Sequence, residues 1–218
     1  MGAAKQAWGW YPAGKVWVPL QVDVDGKVVV DMSAIHTLLD ADEDTGWDVE
    51  KTADEDKIHG KVKGVEAFLL DADGILTLAK QSAARAYKHA ADQSIPNSTY
   101  TKVVLEAESY DIQGEFDPVT NYRFTAKAAG LYLCVGMLDY EPVVDQTIYQ
   151  MAIYKNGVFF QACNCYSSGT TAGTPLIVAV VQLAASDYLE AYALQFSGAT
   201  ATLVCAWDGC WLTVVKIA

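Results

Sequence analysis

Apolar and polar residues alternate with a period of two through most of this chain, in runs too short for long helices. The pattern predicts strands at 84–91, 99–110, 121–127, 130–139, 147–155, 158–166, 176–183, 188–196 and 210–217. Turn signals punctuate them: Ile95-Pro96-Asn97, Lys155-Asn156-Gly157, Ser167-Ser168-Gly169 and Ser197-Gly198. Short alternating strands at this spacing predict an all-β sandwich, and no sustained 3.6-residue period competes with them. Two stretches break the ordinary rule. "LIVAVVQL" (176–183) and "WLTVVKI" (211–217) are apolar at successive positions, hence on both faces. Sandwich strands usually keep one face polar, so a second surface must be hidden, and association into an oligomer hides it.

Residues 1–80 have another texture. "VDVDGKVVV" (22–30) and "LDADGILTL" (70–78) share D-x-D-G followed by apolar residues. Asp-Gly between apolar runs predicts a hairpin, because glycine takes the positive φ of a tight turn. A calcium loop begins the same way, but neither copy has the further acid and the distant glutamate at the required offsets. Between the copies, "GWDVE", "DKIHGKVKG" and "VEAFLL" predict further short strands. Isolated hairpins are marginal in water, so these modules need partners, and winding identical chains around a common axis supplies them.

Length and composition sharpen this reading. At 218 residues the chain exceeds the usual single-domain size of roughly 100–150, which predicts one larger and one smaller unit with a boundary near Gln81. A hydrophobic share of 52% with 19% charged residues excludes a mainly disordered chain. No run approaches the roughly 18 apolar residues of a membrane helix. The opening "MGAAKQAWGWYPAGKVWVPL" has no export-type apolar core, so synthesis in the cytoplasm is expected. Fifteen Lys and Arg against 27 Asp and Glu give a net charge of −12. That charge repels phosphate backbones and anionic lipids, so neither nucleic acid nor membrane is an expected partner, and it keeps an assembling protein soluble. Nine of the acids lie between residues 40 and 56.

Candidate chemistry is sparse. The histidines, His36, His59 and His89, all precede residue 90, and none accompanies a nucleophile motif such as G-x-S-x-G. "SSGTTAGT" (167–174) lacks the lysine and following helix of a phosphate-binding loop and reads as a flexible loop. Asp139, Glu141, Asp145, Asp187 and Glu190 are the acids from which a glycosidase pair would have to come; solvated loop acids are the simpler reading. Tyr140, Tyr166 and Trp207 lie near predicted loops and are candidates for surface binding through an aromatic face. The five cysteines, Cys134, Cys163, Cys165, Cys205 and Cys210, are odd in number and set among strand residues, which favours buried free thiols. Cys163-x-Cys165 lacks zinc-site spacing. No metal, cofactor or catalytic residue is expected.

Residues 84–218 carry a family likeness. "ARAYKHAADQSIPNSTYTKV", "YDIQGEFDPVTNYRFTAKAAGLYLCV", "QMAIYKNGVF", "VVQLAASDYLEAYALQFSG" and "CWLTVVKIA" resemble, in order and spacing, the complement globular heads of the tumour-necrosis-factor-like jelly rolls. The form is that of C-terminal domains of bacteriophage virion proteins. The family's corner, Phe, five residues, then Gly-x-Tyr, falls on Phe124, Gly130 and Tyr132; the usual aromatic two positions further is Cys134. Residues 15–33 and 42–80 resemble short β modules of phage tail and fibre proteins. The resemblance implies an all-β chain in three parts: an attachment module with a β-hairpin (1–40), a β-hairpin shaft or linker, trimeric in form (41–83), and a jelly-roll head (84–218). Its structural core would include Phe124, Gly130, Tyr132 and Trp211. It further implies a non-enzymatic homotrimer on a virion, in contact with other capsid or tail proteins and with a host surface glycan or protein. A capsid decoration protein and a carbohydrate-cleaving tail spike are the alternatives.

Overall fold

The computed structural model describes residues 7–11, 16–22, 28–29, 37–39, 42, 44–49, 56–169, 173–205 and 209–218. It divides the chain into two units, Met1–Leu78 and Ala79–Ala218. All regular structure among the described residues is β.

The first unit holds two antiparallel sheets. One has the order β1 (Ala7–Tyr11), β2 (Val16–Val22), β3 (Val28–Val29). The other has the order β4 (Thr37–Leu39), β5 (Gly46–Val49), β6 (Ile58–Val62), β7 (Val65–Leu70), β8 (Leu76–Thr77). The strands flanking the two D-x-D-G segments pair, Val22 with Val28 and Leu70 with Leu76, although residues 23–27 themselves lie outside the described residues. The chemistry of the second turn is visible. Asp71 Oδ1 accepts from the amides of Asp73 (3.1 Å) and Ile75 (2.8 Å), and Gly74 takes a φ of 77°. A carboxylate folded back on its own backbone stabilises the turn.

Trp47, Gly60 and Phe68 lie in one cross-strand row, with the two rings edge to face at 5.4 Å. A Cβ on Gly60 would collide with the Phe68 ring, so glycine makes the seat. Alternation in β5 runs against expectation: Asp48 is buried and ion-paired with Lys61, while Trp47 (55% exposed) and Val49 face outward. His59 is also buried, 2.6 Å from Glu66.

The second unit is a jelly roll. Its further strands are β9 (Ala83–Tyr87), β10 (Gln93–Ile95), β11 (Thr101–Lys102), β12 (Ala107–Asp111), β13 (Phe116–Asp117), β14 (Arg123–Thr125) and β15 (Gly130–Met137). There follow β16 (Tyr140–Glu141), β17 (Ile148–Lys155), β18 (Val158–Tyr166), β19 (Leu176–Leu183), β20 (Tyr188–Gln195), β21 (Ala201–Leu203) and β22 (Trp211–Lys216). Sheet I has the order β12-β9-β22-β15-β19. Sheet II has the order β13-β14-β20-β17-β18, with β11 also on β20. From β15 the chain crosses to the β17–β18 hairpin, returns to β19 beside β15, crosses again to β20, and ends as β22 on the other side of β15. Repeated crossing between two antiparallel sheets is what makes the sandwich a jelly roll. The β17–β18 turn is formed by Asn156 (φ 52°) and Gly157 (φ 75°), the two positive-φ residues a two-residue hairpin requires.

Phe124 and Tyr132 are fully buried, with rings edge to face at 5.6 Å, and the Tyr132 hydroxyl donates to the Ala128 carbonyl (2.7 Å). Gly130 lies where the chain end passes. Leu131 N–H donates to the Ala218 carbonyl at 2.7 Å, and a Cβ on Gly130 would strike that carbonyl and the Lys216 side chain. Burying Phe124 and Tyr132 contributes about 1.5–3 kcal/mol each.

Two sequence expectations need correction here, and one sheet is new. The segment 99–110 is two strands, not one: β11 joins sheet II and β12 joins sheet I. Val103 and Leu105 between them are core residues that continue the apolar pattern while the chain changes sheets, and the Gln93 side chain brackets the crossing by bonding Lys102 O and Val104 N. Trp211 is not a core residue. It is half-buried on the outward face, because the period of two sends Leu212 and Val214 inward. The small sheet β10-β21-β16 was not anticipated, its strands being only two or three residues long.

Candidate functional site

The outward face of sheet I is built from four cross-strand rows. Tyr87, Trp211, Met137 and Leu176 form the first; Arg85, Thr213, Val135 and Val178 the second. Val215, Leu133 and Val180 form the third, and Leu131 faces Gln182 in the fourth. In β19 the alternation is strict: Ile177, Ala179, Val181 and Leu183 are buried, whereas Leu176 (47%), Val178 (53%) and Val180 (53%) are exposed. The two-sided apolar character read from "LIVAVVQL" is therefore real on both faces of the strand.

With strands about 4.8 Å apart and same-face residues about 6.8 Å apart, this face covers on the order of 400 Å². That is the size at which the largest apolar patch of a monomer is commonly functional. Arg85 is its one charged member on these rows, and its guanidinium lies 5.3 Å over the Trp211 ring and donates to Ser109 Oγ.

The edge beside this face is apolar too. β18 and β19 are the last strands of their respective sheets, linked by Gln161 Nε2 to Val178 O (3.2 Å), and Lys155 at the end of β17 also reaches β19 through Nζ to Gln182 O (2.8 Å). Val158 (69%) and Phe160 (41%) are exposed along it, while the Phe159 ring turns to Tyr100 and Tyr154 on the outward face of sheet II. Unpaired edge strands with apolar side chains invite association.

Of the residues singled out for surface binding, Tyr166 is 65% exposed at the end of β18. Tyr140 is not at the surface. It is fully buried, its hydroxyl donating to Gln150 O (2.7 Å) and accepting from Leu194 N (3.1 Å), with its ring 4.9 Å from Tyr149. A tyrosine can sit in a core when its hydroxyl ties strands together. Trp207 and His36 lie outside the described residues.

Three of the five candidate acids have separate partners. Asp187 is paired with Lys155 (3.0 Å) and Glu190 with Lys102 (2.6 Å), while Asp145 accepts from Gly169 N. Burial, then the neighbouring Glu141, raises the Asp139 carboxyl above its ordinary value. The backbone amide of Ala184, then the side chains of Asn156 and Lys155, hold Asp187 down at about 2.

The "SSGTTAGT" loop is anchored rather than free at its ends. Ser167 is buried with its hydroxyl donating to Val144 O (2.6 Å), and Gly173 packs on the Tyr149 ring. All five cysteines are free. Burial raises the Cys134 thiol to about 12 and Cys210 to about 11, so neither is a thiolate nucleophile at neutral pH. Among the described residues no group of three or more His, Cys, Asp or Glu is placed to hold a metal.

No family model and no curated protein matches the chain. Solved structures do match, over 63% of this chain in each case cited. The Eiger TNF of S. frugiperda is 12% identical with a TM-score of 0.47, covering 93% of that chain. Murine APRIL is 16% identical with a TM-score of 0.48, covering all of it. The PRD1 vertex protein P5 is 17% identical with a TM-score of 0.48, covering 97% of it.

Proposed function

We propose that this chain is a non-enzymatic structural protein of a bacteriophage virion, working as a fibre-like homotrimer. In this reading residues 1–40 attach to capsid or tail proteins, 41–83 extend as a β-hairpin shaft, and 84–218 form the head that trimerises and meets a surface or host.

The observation that carries the reading is the apolar outward face of sheet I beside the apolar β18–β19 edge. Face and edge are different surfaces of one subunit. Their mutual burial is a heterologous contact, which closes into a ring or runs on as a filament. Three is the number implied by the resemblance of 84–218 to complement-type heads. The five-stranded sheet of the first unit supports the same need for partners, since Trp47, Val62, Val65 and Leu76 all remain about half exposed. A charge of −12 keeps such an assembler soluble.

Light scattering on the purified full chain should return three times 23.6 kDa. Labelled antibody on intact particles should mark the capsid or the tail. A monomer at micromolar concentration removes the trimer, and unlabelled particles remove the virion assignment. Label on the shell alone turns the reading to a decoration protein. New reducing ends from host polysaccharide would mean a cleaving spike.

A further inference from the structure

The outward face of sheet II has a different character, with aromatic rings set among neutral amides. Tyr100, just before β11, lies edge-on to Tyr154 with centroids 5.8 Å apart, and tilted against Phe159 at 6.1 Å. Tyr154 in turn stacks on Tyr192 at 4.0 Å. The Tyr100 hydroxyl donates to Gln150 Oε1 (2.5 Å), and Gln150 Nε2 donates to Asn164 Oδ1 (2.5 Å).

Gln150 and Tyr154 flank Ala152 on the same face of β17, and Ala152 is fully buried. Tyr100 therefore lies across Ala152 as a fixed lid. Its ring orientation is held at both ends, by the hydroxyl bond and by the ring contacts. The relay of hydrogen bonds ends at the Asn164 amide nitrogen, which is exposed and has no partner among the described residues. Close by, Lys102 and Glu190 neutralise each other at 2.6 Å. Tyr166, two residues beyond Asn164 on the same face of β18, extends the strip.

We propose that this strip binds a neutral glycan, with Tyr100 and Phe159 as stacking platforms and Asn164 as hydrogen-bond donor. The inference rests on reading the head as a displayed binding domain.

Three physical features select the ligand class. A sugar ring has an apolar C–H face and a rim of hydroxyls, which suits a fixed aromatic face bordered by an amide relay. The strip is locally neutral on a strongly acidic chain, which disfavours anionic ligands. The exposed parts of the two platforms, 38% of Tyr100 and 49% of Phe159, supply on the order of 200 Å² of apolar surface. That falls far short of the roughly 800 Å² per partner of a stable protein interface. Three copies on one trimer would raise apparent affinity about 10²- to 10⁴-fold on a glycan-bearing surface.

The test is binding of the full-length protein to immobilised neutral oligosaccharides of glucose, galactose, mannose and N-acetylglucosamine, with sialylated chains as the anionic comparison. Neutral chains should bind. Tyr100→Ala and Phe159→Ala should each weaken the single-site affinity about three- to tenfold, and Asn164→Ala should weaken it as well. Circular dichroism and the light-scattering mass should stay unchanged, since the replaced side chains lie on the outward face of sheet II and not on the rows or edge proposed to trimerise. Absence of neutral-glycan binding, binding of sialylated chains alone, or binding that both ring variants leave intact would each overturn the proposal. The two readings separate cleanly. A monomer that binds neutral glycans through Tyr100 ends the trimer and keeps the site, and a trimer that ignores every glycan does the reverse.

Discussion

Val178→Lys is the sharpest probe of the assembly. Val178 is the central exposed valine of β19, in row with Val135 and Thr213, and 53% exposed in the single subunit. Hiding that half of a valine is worth about 1 kcal/mol per copy. Replacing it with an ammonium adds the cost of burying an unpaired charge, about 3–5 kcal/mol per copy. Three copies bring the penalty to roughly 12–18 kcal/mol per trimer, and each 1.4 kcal/mol is about tenfold in the equilibrium constant.

The chain carries a charge of −12, so an added lysine lowers general repulsion and by itself favours association. Dissociation would thus run against the nonspecific effect. Val119→Lys, at a position 76% exposed in the β13–β14 turn, is the matched control. Light scattering and sedimentation at micromolar concentration should give a subunit mass for Val178→Lys and a trimer for the control and the parent chain. A trimeric Val178→Lys, with unchanged circular dichroism, would show that this face is not the one covered.

Other expectations follow from the core and the titrating groups. Tyr140→Phe removes the hydroxyl that bridges Gln150 and Leu194 and should lower stability by about 1–3 kcal/mol in urea; a solvent-facing tyrosine would give no change. Gly130→Ala forces a Cβ against the Ala218 carbonyl and should cost about 1–3 kcal/mol, with faster hydrogen exchange at Leu131 and Ile217. Unaltered exchange there would mean that the chain end does not pack at the corner. Asp117, held at about 2 by the Thr120 and Val119 amides, and Asp187, held at about 2, both ionise more readily folded than unfolded. The stability they contribute is complete above their ordinary 3.8 and disappears as pH falls from there to about 2. Asp117→Asn should flatten that part of an acid titration followed by circular dichroism. Cys134 is protonated in its buried site, raised from 9.0 to about 12, so its contribution is complete below 9.0 and is lost as pH rises through that interval. Modification of Cys134 by a thiol reagent at pH 8 in the native state would contradict its burial.

The jelly roll was legible where local chemistry and strand period agree. The strands 158–166 and 176–183 fall on their expected bounds, because Asn156-Gly157 marks the hairpin and Val-rich alternation marks the strands. The D-x-D-G hairpins were legible for the same reason. The break at Val103–Glu106 was not, since an apolar run that changes sheets resembles one that stays in a single sheet. Trp211 and Tyr140 were misplaced by parity and by partner. A tryptophan at an outward position and a tyrosine whose hydroxyl is satisfied by distant backbone each defy the residue's average habit. Of the aromatic strip on sheet II, the sequence marked only Tyr166. Residues 100, 150, 159 and 164 come together only because β11 and β17 both pair with β20 while β18 pairs with β17.

The alternation of side chains, the turn residues and the excess of apolar positions determined an all-β chain with a strand apolar on both faces. These are local quantities, set by backbone sterics and side-chain hydrophobicity within a few residues. Which side of each strand meets the core, which rings share a face, and which apolar rows remain uncovered were decided by register between strands far apart in the chain. Register is a property of pairs: a shift of one residue exchanges every inward side chain for an outward one.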